Sequence, residues 1–287
     1  MHTNQTLTNY DLIFSGKVRD VYDYKKEKLL IFTTDRISAF DFVFDDKIEG
    51  KGIILNQMSK FWFTLSKHLV KNHFLNISPN IPEKFKNRVM VVKKTKVLPV
   101  EAIVRGYIAG SAWKEYKKSK TIHNENIKQN LSEHDKLTEP LFTPSTKAEI
   151  GNKDENINFN QMKKVIGVEL SEKIKEVSLK LYSFAYEYAK KRGVIIADTK
   201  FEFGLDSNNE LILIDEIFTP DCSRFWLINK EGNIDYSAFD KQFFRDYLID
   251  SNWDNNQIKI PINIKQQLTN KYQTALNLLT KNNGKQI

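Results

Sequence analysis

Short runs in which apolar and polar residues alternate open the chain. Between Leu12 and Val43 these runs are DLIFSG, KVRDVYDY, KLLIFTTD and AFDFVF, and glycine or charged residues separate them. Short alternating runs bounded by turn residues are typical of β-strands. The pattern predicts an antiparallel sheet in the first part of the chain.

Apolar residues at helical spacing are found in three later regions. The first lies within residues 52–71, and the last is C-terminal and contains SAFDKQFFRDYLID and INIKQQLTNKYQTALNLLTKN. The middle region runs from Ser171 to Gly193, and we expect Ser171 to be the N-cap of a helix there. Gly193 is expected to end that helix, because glycine suits the left-handed turn at helix C-termini.

Two stretches lack a regular pattern. Pro99 interrupts the segment TKVLPVE, and there we expect the chain to pass from a β-rich N-terminal lobe, residues 1–98, into a larger α/β lobe, residues 99–287. Residues 117–161 are polar and lack strong periodicity, which favours a lid, a binding loop or disorder. The whole pattern indicates a two-lobed α+β fold.

The composition is that of a soluble globular protein. Hydrophobic residues make up 40% and charged residues 28% of the 287 residues. No apolar run approaches the roughly 20 residues of a membrane span. The first residues, MHTNQTLTNY, lack the pattern of a secretion signal, and the lone Cys222 cannot form an internal disulfide. We therefore expect a cytoplasmic protein without a membrane partner.

The net charge of +8 fits two kinds of partner. A basic protein can bind nucleic acid, or it can hold small polyanions such as nucleotides and sugar phosphates. Lysines are spread along the chain, aromatic residues are not interleaved with basic clusters, and no recognition motif is present. The charge therefore favours an ordinary solvated surface and predicts no nucleic-acid partner.

One predicted strand carries charges along a single face. With a period of two, ADTKFEFG puts Asp198, Lys200 and Glu202 on one side and apolar residues on the other. A charged strand face is usually solvated, with the lysine neutralising its neighbours. The alternative is a site where the acids hold a metal ion and the lysine contacts a phosphate.

The partner of Glu202 depends on how this strand pairs with the following LILIDE. With residues 208–209 as a two-residue type I′ turn, Glu202 lies opposite Asp215, and their repulsion would be reversed by a bridging Mg²⁺. A shift of one residue instead puts Ile214 and Glu216 around Glu202. An acid remains close to Glu202 in either register.

A glycine turn near the N-terminus has two cations on one side. In FSGKVRDVYD, Gly16 would allow close approach of a ligand, and Lys17 and Arg19 suit phosphate oxygens. The segment is not a Walker A loop. An ordinary hairpin explains the same pattern.

Six segments together resemble one enzyme family. SGKVRDVYD, TTDRISAFD, LPVEAIVRGYIAGSAW, FTPSTKAEIG, ADTKFEFG and DEIFTPDCSRFW occur in the order expected of the SAICAR synthetase family, over roughly residues 12–250. That family joins carboxyaminoimidazole ribonucleotide (CAIR) to L-aspartate in purine biosynthesis and converts ATP to ADP and phosphate. The resemblance implies a two-lobed fold with ATP in the cleft and an acyl-phosphate intermediate. We expect a monomer or small homo-oligomer, but the resemblance does not define the oligomeric state.

The resemblance also implies roles for individual residues. The implied ATP-binding residues are Gly16, Lys17, Val18, Arg19, Lys93, Leu98, Val100, Glu101 and Lys200. The implied ribonucleotide-binding residues are Arg105, Ser111, Asp198 and Arg224. The implied Mg²⁺ ligands are Glu202 and Asp215. The catalytic residues would be Lys200, Asp198 and Arg105.

Each implied role has a structural alternative. Arg105 and Arg224 could be structural ion-pair residues. Ser111 could be an N-cap alone, and it could also serve as cap and ligand together. Lys93 could be an exposed strand residue with Glu101 as its salt-bridge partner.

Some polar residues of the matching segments receive no individual role. They are candidates for the aspartate side of the pocket or its lid: Asp35, Arg36, Ser38, Asp41, Ser145 and Lys147. Two rival functions also stay open. The same ATP site could phosphorylate another small molecule, or the basic charge could belong to a nucleic-acid-binding module.

Overall fold

The computed structural model describes residues 7–40, 42–147, 154–237, 239 and 242–281. Its helices are α1 Lys51–Leu65, α2 Gly110–Ser119, α3 Phe159–Ile166, α4 Val168–Lys190, α5 Gln242–Asp250 and α6 Ile262–Thr280, with a 3₁₀ helix at Glu83–Arg88. The strands of the first part are β1 Leu12–Ser15, β2 Arg19–Asp23, β3 Lys28–Thr33, β4 Arg36–Ala39, β5 Phe42–Lys47, β6 Phe74–Leu75 and β7 Val89–Lys93. The remaining strands are β8 Lys96–Tyr107, β9 Thr121–Ile122, β10 Glu125–Asn126, β11 Lys136–Thr146, β12 Val194–Leu205, β13 Leu211–Ile214, β14 Ser223–Ile228 and β15 Ile234–Asp235.

Two antiparallel sheets organise these elements. The first has the order β1-β2-β3-β7-β6, and the second has the order β11-β8-β12-β14-β15, with β13 also paired to β12. Helices α3 and α4 pack against the second sheet, and α1 packs against the first sheet and α6. The antiparallel sheet predicted for the first part of the chain and the α+β fold are therefore confirmed.

The predicted lobe boundary after residue 98 stays a prediction. Strand β8 begins at Lys96 and runs across that boundary into the second sheet. The largest cluster of buried apolar side chains includes residues from both sides, such as Ile31 and Leu181. Among the residues named above, no helix is long and apolar enough to cross a membrane.

Pro99 does not interrupt the strand, contrary to the sequence prediction. Between the paired positions Glu202–Glu101 and Gly204–Val97, β8 has three residues where β12 has one. This bulge contains Pro99, so the missing proline N–H does not remove a regular ladder hydrogen bond. The strand therefore continues into the segment that carries the site.

The polar stretch 117–161 contains more regular structure than its sequence indicated. Residues 136–146 form β11, which pairs with β8 at the edge of the second sheet. Its two prolines, Pro140 and Pro144, hide the strand pattern, but an edge strand tolerates proline because one side has no partner to receive an N–H. The prediction of a lid, loop or disorder is wrong for this part, and residues 148–153 lie outside the described residues.

Helix α4 begins earlier than predicted. Its N-cap is Gly167, and Ser171 lies inside the first turn, where its hydroxyl donates to the Gly167 carbonyl oxygen at 2.7 Å. The N-cap assignment of Ser171 was wrong, because the hydroxyl bonds backwards along the helix instead of capping it. The end was predicted well: α4 stops at Lys190, and Gly193 adopts a left-handed φ of 75° in the turn that follows.

Candidate active site

The centre of the second sheet carries a row of two arginines around one aspartate. Strand register places Asp198 on β12 opposite Arg105 on β8 and opposite Arg224 on β14. Both guanidinium groups bind the same oxygen, Oδ2 of Asp198, at 3.0 Å for Arg105 and 2.8 Å for Arg224. The ion-pair alternative is thus realised for both arginines. Two cations on one carboxylate leave an excess positive charge that suits an anionic ligand.

Helix α2 begins beside the second of these arginines. Gly110 has a φ of +57°, and a Cβ built there would lie 2.5 Å from Nη2 of Arg224. Only glycine fits both this backbone conformation and this close approach. Ser111 is exposed in the first turn, and the N-cap is Ala109, so Ser111 is not the N-cap. The helix N-terminus and Arg224 together favour a phosphate group.

Two residues further along β12, a lysine binds two opposed acids. Glu202 pairs with Glu101 of β8, and Lys200 Nζ lies 2.6 Å from Glu101 Oε1 and 2.7 Å from Glu202 Oε1. Lys147 forms a further ion pair with Glu202, and Ser145 donates to Glu101 at 3.3 Å. Two facing carboxylates repel each other, and these lysines remove the repulsion.

The charges around Glu202 control its protonation. Burial opposes ionisation, but the charges of Lys200 and Lys147 outweigh it and lower the pKa of Glu202 to about 2. Burial raises the pKa of Glu101 despite its bond to Lys200. The cluster therefore keeps Glu202 ionised at neutral pH, which is the state that a cation requires.

The partner of Glu202 in the hairpin differs from the first prediction. Glu202 pairs with Ile214, so the one-residue shift is correct and Asp215 is not opposite Glu202. The cause lies in the turn, because Oδ1 of Asp206 accepts the N–H groups of Asn208 and Glu210 at 2.9 and 3.0 Å. This bonding makes the turn longer than two residues. Lys93 binds the other oxygen of Asp206 at 2.6 Å, so the predicted alternative pairing of Lys93 with Glu101 was wrong.

The glycine turn of the first sheet reaches the acids that follow β13. Arg19 Nη1 lies 3.1 Å from Asp215 Oδ1, and Nη2 of the same guanidinium forms an ion pair with Glu216. Burial raises the pKa of Asp215 to about 6, and although Arg19 opposes the rise, the charges of Glu202 and Glu216 add to it. Asp215 also has a left-handed φ of 65°. Both sheets therefore contribute to one charged site.

The turn itself is held by Arg36. Residues 16–18 connect β1 to β2, and the Arg36 guanidinium donates to the carbonyl oxygens of Gly16 at 2.9 Å and Lys17 at 3.1 Å. It also binds Asp20 at 2.7 Å. Arg36, which the sequence left without a role, therefore fixes the shape of the turn.

The other unassigned candidates lie in different places. Asp35 is buried, binds Arg88 at 3.0 Å and accepts the N–H of Gly52 at 2.8 Å, so it anchors the start of α1. Ser38 lies in β4. Asp41 falls outside the described residues. Leu98 and Val100 are buried where β8 enters the second sheet, next to Glu101.

Carboxylates of this site fit a magnesium ion. Mg²⁺ prefers oxygen ligands and is commonly held by one or two carboxylates together with phosphates of a nucleotide. Glu202 and Asp215 are close enough for their charges to interact. Among the residues that the structure describes, no group of three or more acidic, histidine or cysteine side chains could hold a metal ion alone. The donor set therefore suits a metal that arrives with its nucleotide.

Sequence reasoning missed several buried polar residues, some of which hold Arg105. His123 and Thr143 both contact Arg105, and Lys51 forms a buried ion pair with Asp221. The sequence pair His123-Asn124 is a usable signal, because both residue types tolerate the left-handed conformation of a tight hairpin turn. For Lys51 no local signal exists, because its partner is 170 residues away.

Paired arginines beside a lysine–carboxylate cluster, set in an antiparallel sheet of an α+β fold, are typical of an enzyme that handles phosphorylated substrates.

Comparison with known proteins agrees with this class. A SAICAR synthetase family model matches residues 12–260. The phosphoribosylaminoimidazole-succinocarboxamide synthase of Chromobacterium violaceum is 45% identical over 284 residues, which cover 95% of this chain and 99% of the relative. The protein of the same name from Haemophilus influenzae (strain PittEE) is 46% identical over 290 residues and covers 97% of this chain and 100% of the relative.

Solved structures give the same result. A SAICAR synthase from Saccharomyces cerevisiae, complexed with SAICAR, has a TM-score of 0.86 and 42% identity and covers 98% of both chains. A SAICAR synthetase in complex with ADP has a TM-score of 0.71 and 26% identity, and covers 95% of this chain and 99% of that one. The chain belongs to the SAICAR synthetase family. It is an enzyme, and the family's activity is ATP-dependent formation of SAICAR in purine biosynthesis.

Proposed function

We propose that this chain joins CAIR to L-aspartate and produces SAICAR, ADP and phosphate through an acyl phosphate. The observation that carries the proposal is the spacing on β12. Asp198 with its two arginines and Lys200 with its two acids are two residues apart on one face of the strand. Alternate strand residues are roughly 7 Å apart. Ligands held at these two neighbouring positions can therefore lie in contact, as direct transfer of a phosphoryl group from a nucleotide at the lysine to a substrate at the arginines requires.

The chemistry explains why ATP is needed. The carboxylate of CAIR is a poor electrophile, because direct attack by an amine would have to expel oxide. Transfer of the γ-phosphoryl group to a carboxylate oxygen releases ADP and gives an acyl phosphate. The aspartate amine then attacks the carbonyl carbon, the C–O bond to phosphate breaks, and the amine proton is lost. The enzyme mainly positions anions and neutralises their charge.

On this proposal ATP lies in the cleft between the glycine turn and the second sheet. The direct support is the ion pair of Arg19 with Asp215, which joins the two. The turn would cover the phosphates through Gly16, Lys17, Val18 and Arg19. The adenosine would contact Lys93, the backbone near Leu98 and Val100, and Glu101. Lys200 would contact the transferred phosphoryl group.

Magnesium would be held by Glu202 and Asp215 with the triphosphate. When bound, the ion would neutralise charge on the phosphates. Lys147 and Lys200 keep Glu202 ionised, which is the state in which it would bind the cation. Arg19 would then have Glu216 as a second carboxylate partner when Asp215 binds the metal.

The ribonucleotide would occupy the arginine row. Arg105 and Arg224 would grip its anionic groups, and Ser111 would present a hydroxyl at the N-terminus of α2. Within the described part of the chain, Oδ1 of Asp198 receives no hydrogen bond, because both arginines bind Oδ2. That oxygen can accept a hydrogen bond from a donor group of the substrate. This bond would orient the carboxylate of CAIR toward Lys200.

Steady-state release of ADP tests the reaction. Release should require both CAIR and L-aspartate, and the product should have the mass of SAICAR. With ¹⁸O in the CAIR carboxylate, one labelled oxygen should appear in the released phosphate. ADP release with a different acceptor, or labelled CAIR that leaves the phosphate unlabelled, would contradict the proposal.

A further inference from the structure

Arg105 is held from three sides. Its Nε donates to Thr143 Oγ1 at 3.1 Å, and its Nη1 donates to Asp198 at 3.0 Å. Its Nη2 lies 3.3 Å from Nε2 of His123. Arginine has five N–H bonds, so these contacts leave one on each terminal nitrogen for an anion. The direction of these two bonds depends on the three partners.

The contacts of His123 define its tautomer. Nδ1 lies 2.8 Å from the carbonyl oxygen of Pro144, and a carbonyl oxygen can only accept, so Nδ1 carries the proton. Nε2 then has a lone pair that accepts from Arg105. Burial and the charge of Arg105 lower the pKa of His123 to about 4, so the ring is neutral at physiological pH. The residue is 1% exposed.

A tight hairpin places this ring. β9 and β10 pair antiparallel, and the turn residues His123 and Asn124 have left-handed φ values of 50° and 62°. Two such residues form a type I′ turn. Glu115 of α2 anchors the hairpin, because its Oε1 accepts the N–H of Asn124 at 3.0 Å and the hydroxyl of Thr121 at 2.9 Å. The imidazole is therefore fixed by backbone geometry as well as by its own hydrogen bonds.

We propose that His123 is a positioning residue that aims the guanidinium of Arg105 at the anionic group of the ribonucleotide. The inference rests on the proposed function for the role of Arg105. It adds that the hairpin at residues 121–126 belongs to the ribonucleotide site through a histidine that does not itself touch the substrate. Without the Nε2 acceptor, the guanidinium could rotate and lose its fixed pair of donors.

Two substitutions separate positioning from packing. His123→Asn suits the left-handed backbone, and its short amide can still donate to Pro144 but does not reach Arg105. His123→Gln places an amide oxygen near the position of Nε2. We expect His123→Asn to raise KM for CAIR about tenfold, as for loss of one hydrogen bond to a charged group. KM for ATP should stay at the wild-type value, any fall in Tm should be similar in the two variants, and His123→Gln should restore KM for CAIR to within about threefold.

A matched control is Asn124→Gly, which keeps the left-handed turn and removes the neighbouring side chain. It should leave KM for CAIR unchanged. The proposal is overturned if His123→Asn leaves KM for CAIR unchanged. It is also overturned if the Asn and Gln variants lose Tm and raise all KM values alike, because packing would then explain the effect.

A spectroscopic measurement does not depend on turnover. ¹⁵N chemical shifts of His123 at pH 7 should show a neutral ring protonated at Nδ1. An imidazolium ring or an Nε2–H tautomer would overturn the inference. If the wild-type enzyme does not consume CAIR, the proposed function fails, and these shifts still decide whether His123 accepts from Arg105.

Discussion

Glu101 and Glu202 face each other across β8 and β12, and Lys200 binds both carboxylates. The two Nζ–Oε distances are 2.6 and 2.7 Å. A cation between two opposed acids can have a structural role, a role in phosphoryl transfer, or both. Lys147 also forms an ion pair with Glu202. Lys200 is therefore not the sole cation that stabilises this carboxylate, and we expect its contribution to folding stability to be limited.

Lys200→Ala separates these roles. We expect turnover to fall at least about a hundredfold, because the proposed function puts this cation at the transferred phosphoryl group. The free energy of unfolding should fall by only about 1–3 kcal/mol, since Lys147 stays and the raised pKa of Glu101 eases its protonation. Steady-state kinetics and urea unfolding measure the two effects. Lys180→Ala, which removes an exposed ion pair with Glu176, is the control and should change neither. Equal fractional losses of activity and stability would favour the structural role.

The raised pKa of Asp215 predicts a pH-dependent stability without ligands. Its pKa is about 6 in the folded protein against 3.8 for an ordinary aspartate. The folded state therefore binds the proton of Asp215 more tightly than the unfolded state does. Protonation of Asp215 stabilises the folded protein, and this contribution is complete below pH 4 and is lost as pH rises through 6. Asp215→Asn should be more stable than wild type by on the order of 2 kcal/mol at pH 8 and equally stable at pH 4. Turnover with Mg²⁺ and ATP should be abolished.

Asp206→Asn is the control, because the pKa of Asp206 is shifted in the opposite direction and the expected change in stability at pH 8 is opposite too. Hydrogen bonds from Lys93 and from the N–H of Glu210 lower the pKa of Asp206 to about 2. That carboxylate contributes stability above pH 4, which is lost as pH falls through 2, so Asp206→Asn should be less stable than wild type at pH 8. Urea unfolding across this pH range checks both variants. A less stable Asp215→Asn at pH 8 would show that the Arg19 ion pair outweighs burial.

Arg36 should affect ATP binding through the glycine turn. Peptide groups are planar, so when Arg36 holds the carbonyl oxygens of Gly16 and Lys17, the N–H groups of the next residues point to the opposite side. Successive N–H groups of this kind suit a phosphate. We expect Arg36→Gln to raise KM for ATP about tenfold and to leave KM for L-aspartate unchanged. A selective rise in KM for L-aspartate would instead assign Arg36 to the amino-acid substrate.

Local pattern predicted part of this site. The period of two put Asp198, Lys200 and Glu202 on one face, and the structure agrees. The register of the hairpin could not be predicted, because it depends on the side chain of Asp206 bonding to the turn. The opposition of Glu101 and Glu202 joins strands about a hundred residues apart, and no local periodicity encodes such a pairing. Long-range contacts of this kind decide which acid meets which cation.

Lys51 and Asp221 form a buried ion pair whose loss should destabilise the fold. Their side chains are 0% and 2% exposed, Nζ lies 2.7 Å from Oδ2, and Tyr272 of α6 donates to Oδ1 at 2.6 Å. Lys51→Met removes the ammonium group that binds this buried carboxylate, and breaking a buried ion pair costs about 3–5 kcal/mol of unfolding free energy. Adding Asp221→Asn removes that charge and keeps an acceptor for Tyr272, so the double variant should be more stable than Lys51→Met. Urea unfolding measures both, and a double variant no more stable than the single one would mean that Lys51 acts through packing.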